Sequence, residues 1–143
     1  MERQDFGDLS PGADLFPAAE DALSRERLLR EEAWKMRSYY PETARRLWSQ
    51  AEEACDKMEY EGSWMYDEYP DRLMIRLLAS KMAKEAAREM EREQGKDRKP
   101  DRDGREELWL EEMARVLLAD EICRRRCRRQ RRRQRIWAPG FPI

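Results

Sequence analysis

Three groups of residues in this chain have types and spacings that could do chemistry: a mid-chain stretch of carboxylates and aromatics, a run of arginines, and three cysteines. The mid-chain stretch, Met58–Asp71, carries the carboxylates Glu59, Glu61, Asp67, Glu68 and Asp71 together with Tyr60, Trp64, Met65, Tyr66 and Tyr69. Loop carboxylates can ligate a hard cation such as Mg2+ or Ca2+, and carboxylates mixed with aromatics can recognise a partner. The spacing matches no ion-binding loop of the EF-hand kind, so no metal is assigned. The plainest alternative is structural. The aromatics would plug the end of a helical hairpin, and Asp67, Glu68 and Asp71 would face the positive N-terminus of the following helix.

The arginine run comprises Arg124, Arg125, Arg126, Arg128, Arg129, Arg131, Arg132, Arg133 and Arg135, with no acid among them. Guanidinium forks suit phosphate, which makes the run a candidate for RNA, DNA or an anionic surface. No aromatics are interleaved for stacking on single-stranded bases, and no helix-turn-helix pattern stands out. A solvated tail, or one docked on an acidic body, is the alternative. The net charge of −1 conceals this asymmetry: setting aside the nine arginines of residues 124–143 leaves −10 for residues 1–123.

Catalysis has little footing. The chain has no histidine, so it lacks the usual proton shuttle near neutral pH and the usual base for a serine or cysteine nucleophile. A carboxylate pair could still act as in glycoside hydrolysis, but a thin helical bundle offers no deep cleft. The expectation is a non-enzymatic protein with no cofactor and no identified small-molecule substrate. Cys123 and Cys127 share a helical face at i,i+4, yet structural zinc takes four ligands. With Cys55 they read as reduced thiols, and the arginines beside Cys127 could lower its pKa. An odd cysteine count without a secretory signal, and no apolar run near the roughly 20 residues that span a bilayer, lead us to expect a cytoplasmic protein without a membrane span.

The elements that must position these groups are helices. At 143 residues the chain is one domain, and 40% apolar against 43% charged residues allows only a thin core. Only Thr43, Ile75, Val116, Ile122, Ile136 and Ile143 are β-branched, whereas Ala, Leu, Glu, Arg, Met and Gln abound. That composition favours helix over strand. The fold class is therefore all-α, a small bundle of three to four helices at about 17–38, 41–59, 70–93 and 105–130. Pro17 suits a first helical position, and Pro41 disfavours helical geometry at Tyr40. Ala44, Leu47, Ala51, Ala54 and Met58 step by three and four along helix 2, as do Ile75, Ala79, Met82, Ala86 and Met90 along helix 3. Apolar residues on several sides of helix 3 at Leu73, Met74, Leu77 and Leu78 imply that its N-terminal half is the more buried, with the half from Lys84 projecting outward. On helix 4 the expected stripe is Trp109, Met113, Val116, Asp120, Cys123 and Cys127 with Leu110 and Leu117 alongside, and the end from Arg124 is expected to fray in isolation, where arginines repel one another at i,i+4, unless an anion binds. Residues 1–16 read as a flexible arm, 17–123 as the helical domain and 124–143 as an Arg-rich tail.

One segment is also similar to known sequences. Cys55–Leu73, with its core Met58-Glu-Tyr-Glu-Gly-Ser-Trp-Met-Tyr-Asp-Glu-Tyr-Pro-Asp-Arg72, resembles a segment of small, uncharacterised helical bacterial proteins, and Tyr39-Tyr40-Pro41 extends the likeness. The resemblance implies a helical hairpin around this loop and transfers no catalytic residue. Function is then expected to be protein–protein interaction, with a protein partner or a second copy, through the helix 2–3 hairpin and the loop residues Tyr60, Glu61, Trp64, Tyr66, Asp67, Glu68 and Tyr69. The alternative is polyanion binding, nucleic acid included, by Arg124–Arg135.

Overall fold

The computed structural model describes residues 15–95 and 103–136, with side chains over 20–95 and 103–134. It contains four α-helices and one short 3-10 turn: α1 (Leu15–Arg37), α2 (Glu42–Lys57), η1 (Trp64–Tyr66), α3 (Arg72–Gln94) and α4 (Arg105–Ile136). Among the described residues there is no strand. The all-α architecture stands. The expected N-terminal arm lies outside the described residues except for Leu15 and Phe16, which begin α1.

The chain divides into two compact units, residues 1–40 and 41–143. In the first, α1 exposes Leu23, Leu28, Leu29, Trp34 and Met36 by half or more. The helix stops at Ser38, whose hydroxyl donates to the Lys35 carbonyl at 2.6 Å. Pro41, three residues on, is incompatible with continuing the same helix.

The second unit holds the core. On α2 the steps of three and four bring Ala44, Leu47, Ala51 and Cys55 to one buried face, with Met58 closing its end. On α3, Asp71 caps the N-terminus by accepting from the Leu73 N–H at 2.8 Å, which satisfies a donor the helix cannot. Ala79, Met82, Ala83 and Ala86 are buried, and Ile75, Leu78, Ala87 and Met90 pack against the core. Leu47, Met65, Leu110 and Leu118 are fully enclosed; removing a side chain of that size from water stabilises by about 1.5–3 kcal/mol.

Polar contacts fix the directions of the helices. Arg46, near the start of α2, reaches Glu89 (3.2 Å) and Glu93 (2.7 Å) near the end of α3, so these two helices run antiparallel. Arg125 and Arg126, in the last third of α4, reach the end of α2 and the loop before α3. The fourth helix therefore runs parallel to α2 and antiparallel to α3.

Two expectations about faces are corrected. The buried face of α4 is Leu110, Ala114, Leu118, Glu121, Ile122 and Arg125, one position round from the expected stripe. Trp109, Val116, Cys123 and Cys127 are exposed. The helix is apolar on two adjacent faces, and periodicity alone cannot choose between them. On α3 burial begins later than expected: Leu73, Met74 and Leu77 in the first turns are exposed, Ala79, Met82 and Ala83 are buried, and of the half from Lys84 only Ala86 is buried while residues 91–95 are exposed. Small alanines let a neighbouring helix approach closely, and the larger leucines at the N-terminal end are left outside. The fourth helix, expected to end near residue 130, continues to Ile136.

Candidate functional site: the central loop and the arginine face of α4

The loop between α2 and α3 is built by local rules. Gly62 takes φ +81, a left-handed turn that suits glycine. Ser63 follows in extended geometry and caps η1, its hydroxyl oxygen accepting from the Met65 N–H at 3.4 Å. This short turn buries Met65 completely and packs Trp64 and Tyr66 against the core.

Three arginines of α4 then fasten the loop and the end of α2. Arg125 is buried and reaches four acceptors. Its Nε donates to Glu121 at 3.0 Å, its Nη1 to Glu59 at 3.0 Å, and its Nη2 to Asp56 at 2.7 Å and to the Glu52 carbonyl at 3.3 Å. Burial disfavours its charge, and hydrogen bonds to Asp56, Glu121 and Glu59 outweigh burial and raise its pKa further. Arg126 grips the loop backbone: Nη1 donates to the Met65 carbonyl at 2.9 Å and to the Asp67 carbonyl, and Nη2 to the Glu68 carbonyl at 3.3 Å. Arg129 lies over the Tyr66 ring, 4.2 Å from its centroid, a cation–π contact.

The phenol of Tyr66 in turn donates to Glu59 at 2.6 Å. Burial tends to raise the Glu59 pKa, but hydrogen bonds from Tyr66 and Arg125, with the charges of Arg125 and Arg128, hold it below the usual carboxylate range. The Tyr66 hydroxyl is pushed up to about 12, first by burial and then by its bond to Glu59. In the core nearby, burial pushes the Cys55 thiol up to about 12.

The residues singled out by sequence therefore separate. Of the loop set, Trp64 and Tyr66 turn inward and pack against the core, while Tyr60, Glu61, Asp67, Glu68 and Tyr69 are exposed. Of the expected hairpin plug, then, Met65, Trp64 and Tyr66 are in place and Tyr60 and Tyr69 are not. Asp71 does serve the start of α3, as its cap. Of the arginine set, Arg125, Arg126 and Arg129 hold the fold together, Arg124 pairs with Asp120 at 3.0 Å, and Arg128 and Arg131 also have partners. Arg132 and Arg133 are exposed, and the side chain of Arg135 lies outside the described residues. No group of three or more Cys, Asp or Glu among the described residues is arranged to hold a metal ion. The pKa of Cys123 is raised, by desolvation first and then by its hydrogen bond to Cys127. No helix among the described residues is long and apolar enough to cross a membrane.

Arg125 as the centre of a buried ion network was not apparent from sequence. One signal was present: Glu121 stands four residues before it, the favoured order for a helical ion pair. The other three acceptors come from 66, 69 and 73 residues away, beyond any local pattern. Comparison of the chain with family models, with curated proteins and with solved structures returns no match.

Proposed function

We propose that this is a non-enzymatic helical protein that works by protein–protein interaction through the α2–α3 hairpin and the rim of its loop. One observation carries this reading. Leu73 and Leu77, four residues apart on α3, are 58% and 57% exposed, and Tyr69 just before them is 85% exposed. At 100° per residue the two leucines lie nearly opposite the buried face of α3. Tyr69 precedes them by four and eight residues, and exposed apolar residues that cluster mark interaction sites. The acidic rim of Asp67, Glu68 and Glu61, exposed beside them, would select a basic or polar surround on the partner. The chemistry of the loop also favours this reading over catalysis, because Glu59 is already tied to both Tyr66 and Arg125. Free thiols at Cys55, Cys123 and Cys127 fit a reducing compartment, and we place the protein in the cytoplasm.

The partner is another protein or a second copy, and the double variant Leu73→Glu, Leu77→Glu tests both. The full chain should self-associate with concentration in sedimentation velocity, or should retain a partner in affinity capture, and the double variant should lose that association with its melting temperature unchanged. Equal association of variant and parent, or no association by either assay, overturns the reading. Polyanion binding by Arg124–Arg135 gains less support, because Arg125, Arg126 and Arg129 already have internal partners.

A further inference from the structure

Between the Gly62–Ser63 corner of the loop and one face of α4 lies a cavity of about 190 Å3, lined by Ser63, Asp67, Arg126, Arg129 and Arg133 among others. The geometry points to this cavity as a binding site for a phosphate-like oxyanion, a terminal phosphomonoester or free phosphate. This inference stands apart from the interaction strip on α3, which shares none of these arginines.

Charge decides the sign of the ligand. Arg126, Arg129 and Arg133 step by three and four, so their guanidinium groups rise along one helical face. Against three cations the cavity wall offers one carboxylate, Asp67, and the balance suits a dianion. Two of the cations are already positioned. Arg126 is held by the carbonyls of Met65, Asp67 and Glu68 through both of its terminal nitrogens. Guanidinium has five N–H donors, so the Nε–H and one Nη2–H remain for a ligand. Arg129 is held over Tyr66. Arg133 is exposed and has no partner among the described residues, which leaves its fork free to close over an anion.

The floor of the cavity adds a neutral donor. Ser63 is only 1% exposed. Its oxygen accepts from the Met65 N–H, and its own hydroxyl proton has no acceptor among the described residues. A buried donor left without an acceptor is destabilising unless a ligand or water completes it. The corner at Gly62 is open, since a Cβ there would meet nothing within 4 Å. A recessed hydroxyl beside a row of guanidinium groups is reached by a terminal group better than by a continuous nucleic-acid backbone, and this favours a monoester over a diester.

The test titrates inorganic phosphate into the full chain by calorimetry at constant ionic strength, with a glycerol monophosphate and a 20-nucleotide single strand as separate arms. Saturable one-site binding of phosphate or the monoester is expected. Arg133→Gln should weaken it about tenfold, the scale of a lost charged hydrogen bond, and Ser63→Ala should weaken it severalfold. Arg132→Gln makes the same charge change on an exposed residue outside the cavity lining and should bind like the parent. Phosphate should also raise the melting temperature of the parent, because a ligand of the folded state stabilises it. Absence of phosphate and monoester binding overturns the proposal. So does equal weakening by Arg132→Gln and Arg133→Gln, or binding confined to the oligonucleotide, since either marks a diffuse polyelectrolyte surface.

Discussion

Arg125 reaches four acceptors and through three of them joins α4 to the end of α2. It is enclosed with Glu121 and compensates Asp56 and Glu59 at the end of α2. Removing Arg125 takes the guanidinium from the equally enclosed Glu121, at about 3–5 kcal/mol, whereas Asp56 and Glu59 reach water and lose less. Arg125→Met is therefore expected to cost on that order in urea denaturation. Arg125→Met with Glu121→Leu should recover part of the loss, because an apolar pair removes the orphaned buried carboxylate; no recovery would place the cost in Asp56 and Glu59 instead. The same cluster sets a pH dependence with two limbs. The folded pKa of Glu59 is depressed, so its contribution is complete above the ordinary carboxylate value of about 4.3 and is lost as pH falls through the lower folded value. Tyr66 behaves in the opposite sense. Its folded pKa of about 12 lies above the usual 10, so its contribution is complete below pH 10 and is lost as pH rises from 10 to 12. Melting temperature against pH should show both limbs, with the acid limb flattened by Glu59→Gln and the alkaline one reduced by Tyr66→Phe. Cys55 titrates over an overlapping alkaline window, from 9 to about 12, so the second limb should shrink without vanishing.

At the scale of elements, the start of α3 depends on one carboxylate and the turn before η1 on one glycine. Asp71→Ala is expected to lose about 1 kcal/mol of stability with the removed cap. Gly62→Ala should lose about 1–2 kcal/mol, because φ +81 strains any residue with a Cβ even where space is open. Equilibrium denaturation measures both. These local features were legible in the sequence: Gly62 and Pro70 bracket the loop, and Asp71 precedes the first apolar residues of α3. The buried faces of α2 and α3 were legible too, since each has one clear stripe. The face of α4 was not, because Trp109, Val116 and Cys123 form a second apolar row that competes with Leu110, Ala114 and Leu118. Nor was the role of the arginines. Nine cations without an adjacent acid resemble a solvated tail when viewed along the chain. Their acids and carbonyls lie on α2 and in the loop, and only the antiparallel return of α4 brings them together.

For the whole molecule, the consequence is that α4 cannot be shortened freely. At 32 residues it is the longest helix, roughly 48 Å at 1.5 Å per residue, and its last third closes the end of the α2–α3 pair. A chain ending at Cys123 loses Arg125, Arg126 and Arg129 together and should lose several kcal/mol, a large part of the 5–15 kcal/mol typical of a domain. A chain ending at Gln130 keeps all three and should melt close to the parent. Circular dichroism melts of the two truncations distinguish this from a disposable tail, which predicts equal melting for both. Loss of any binding activity in the shorter chain would report unfolding, so charge substitutions at the exposed Arg132 and Arg133 are the sounder probes of anion affinity.

The grip of Arg126 on the loop has a bearing on how this surface can change over generations. It holds the carbonyls of Met65, Asp67 and Glu68, groups that every amino acid possesses. Replacing the side chains at 67 and 68 leaves those acceptors in place, so the loop keeps its shape while the chemistry it displays is rewritten. A library randomised at Asp67, Glu68 and Tyr69 should thus stay folded in most members, whereas one randomised at Met65 should not. The loop is in this sense a fixed frame with a variable rim, whose displayed side chains can change in a few substitutions without altering how the chain folds.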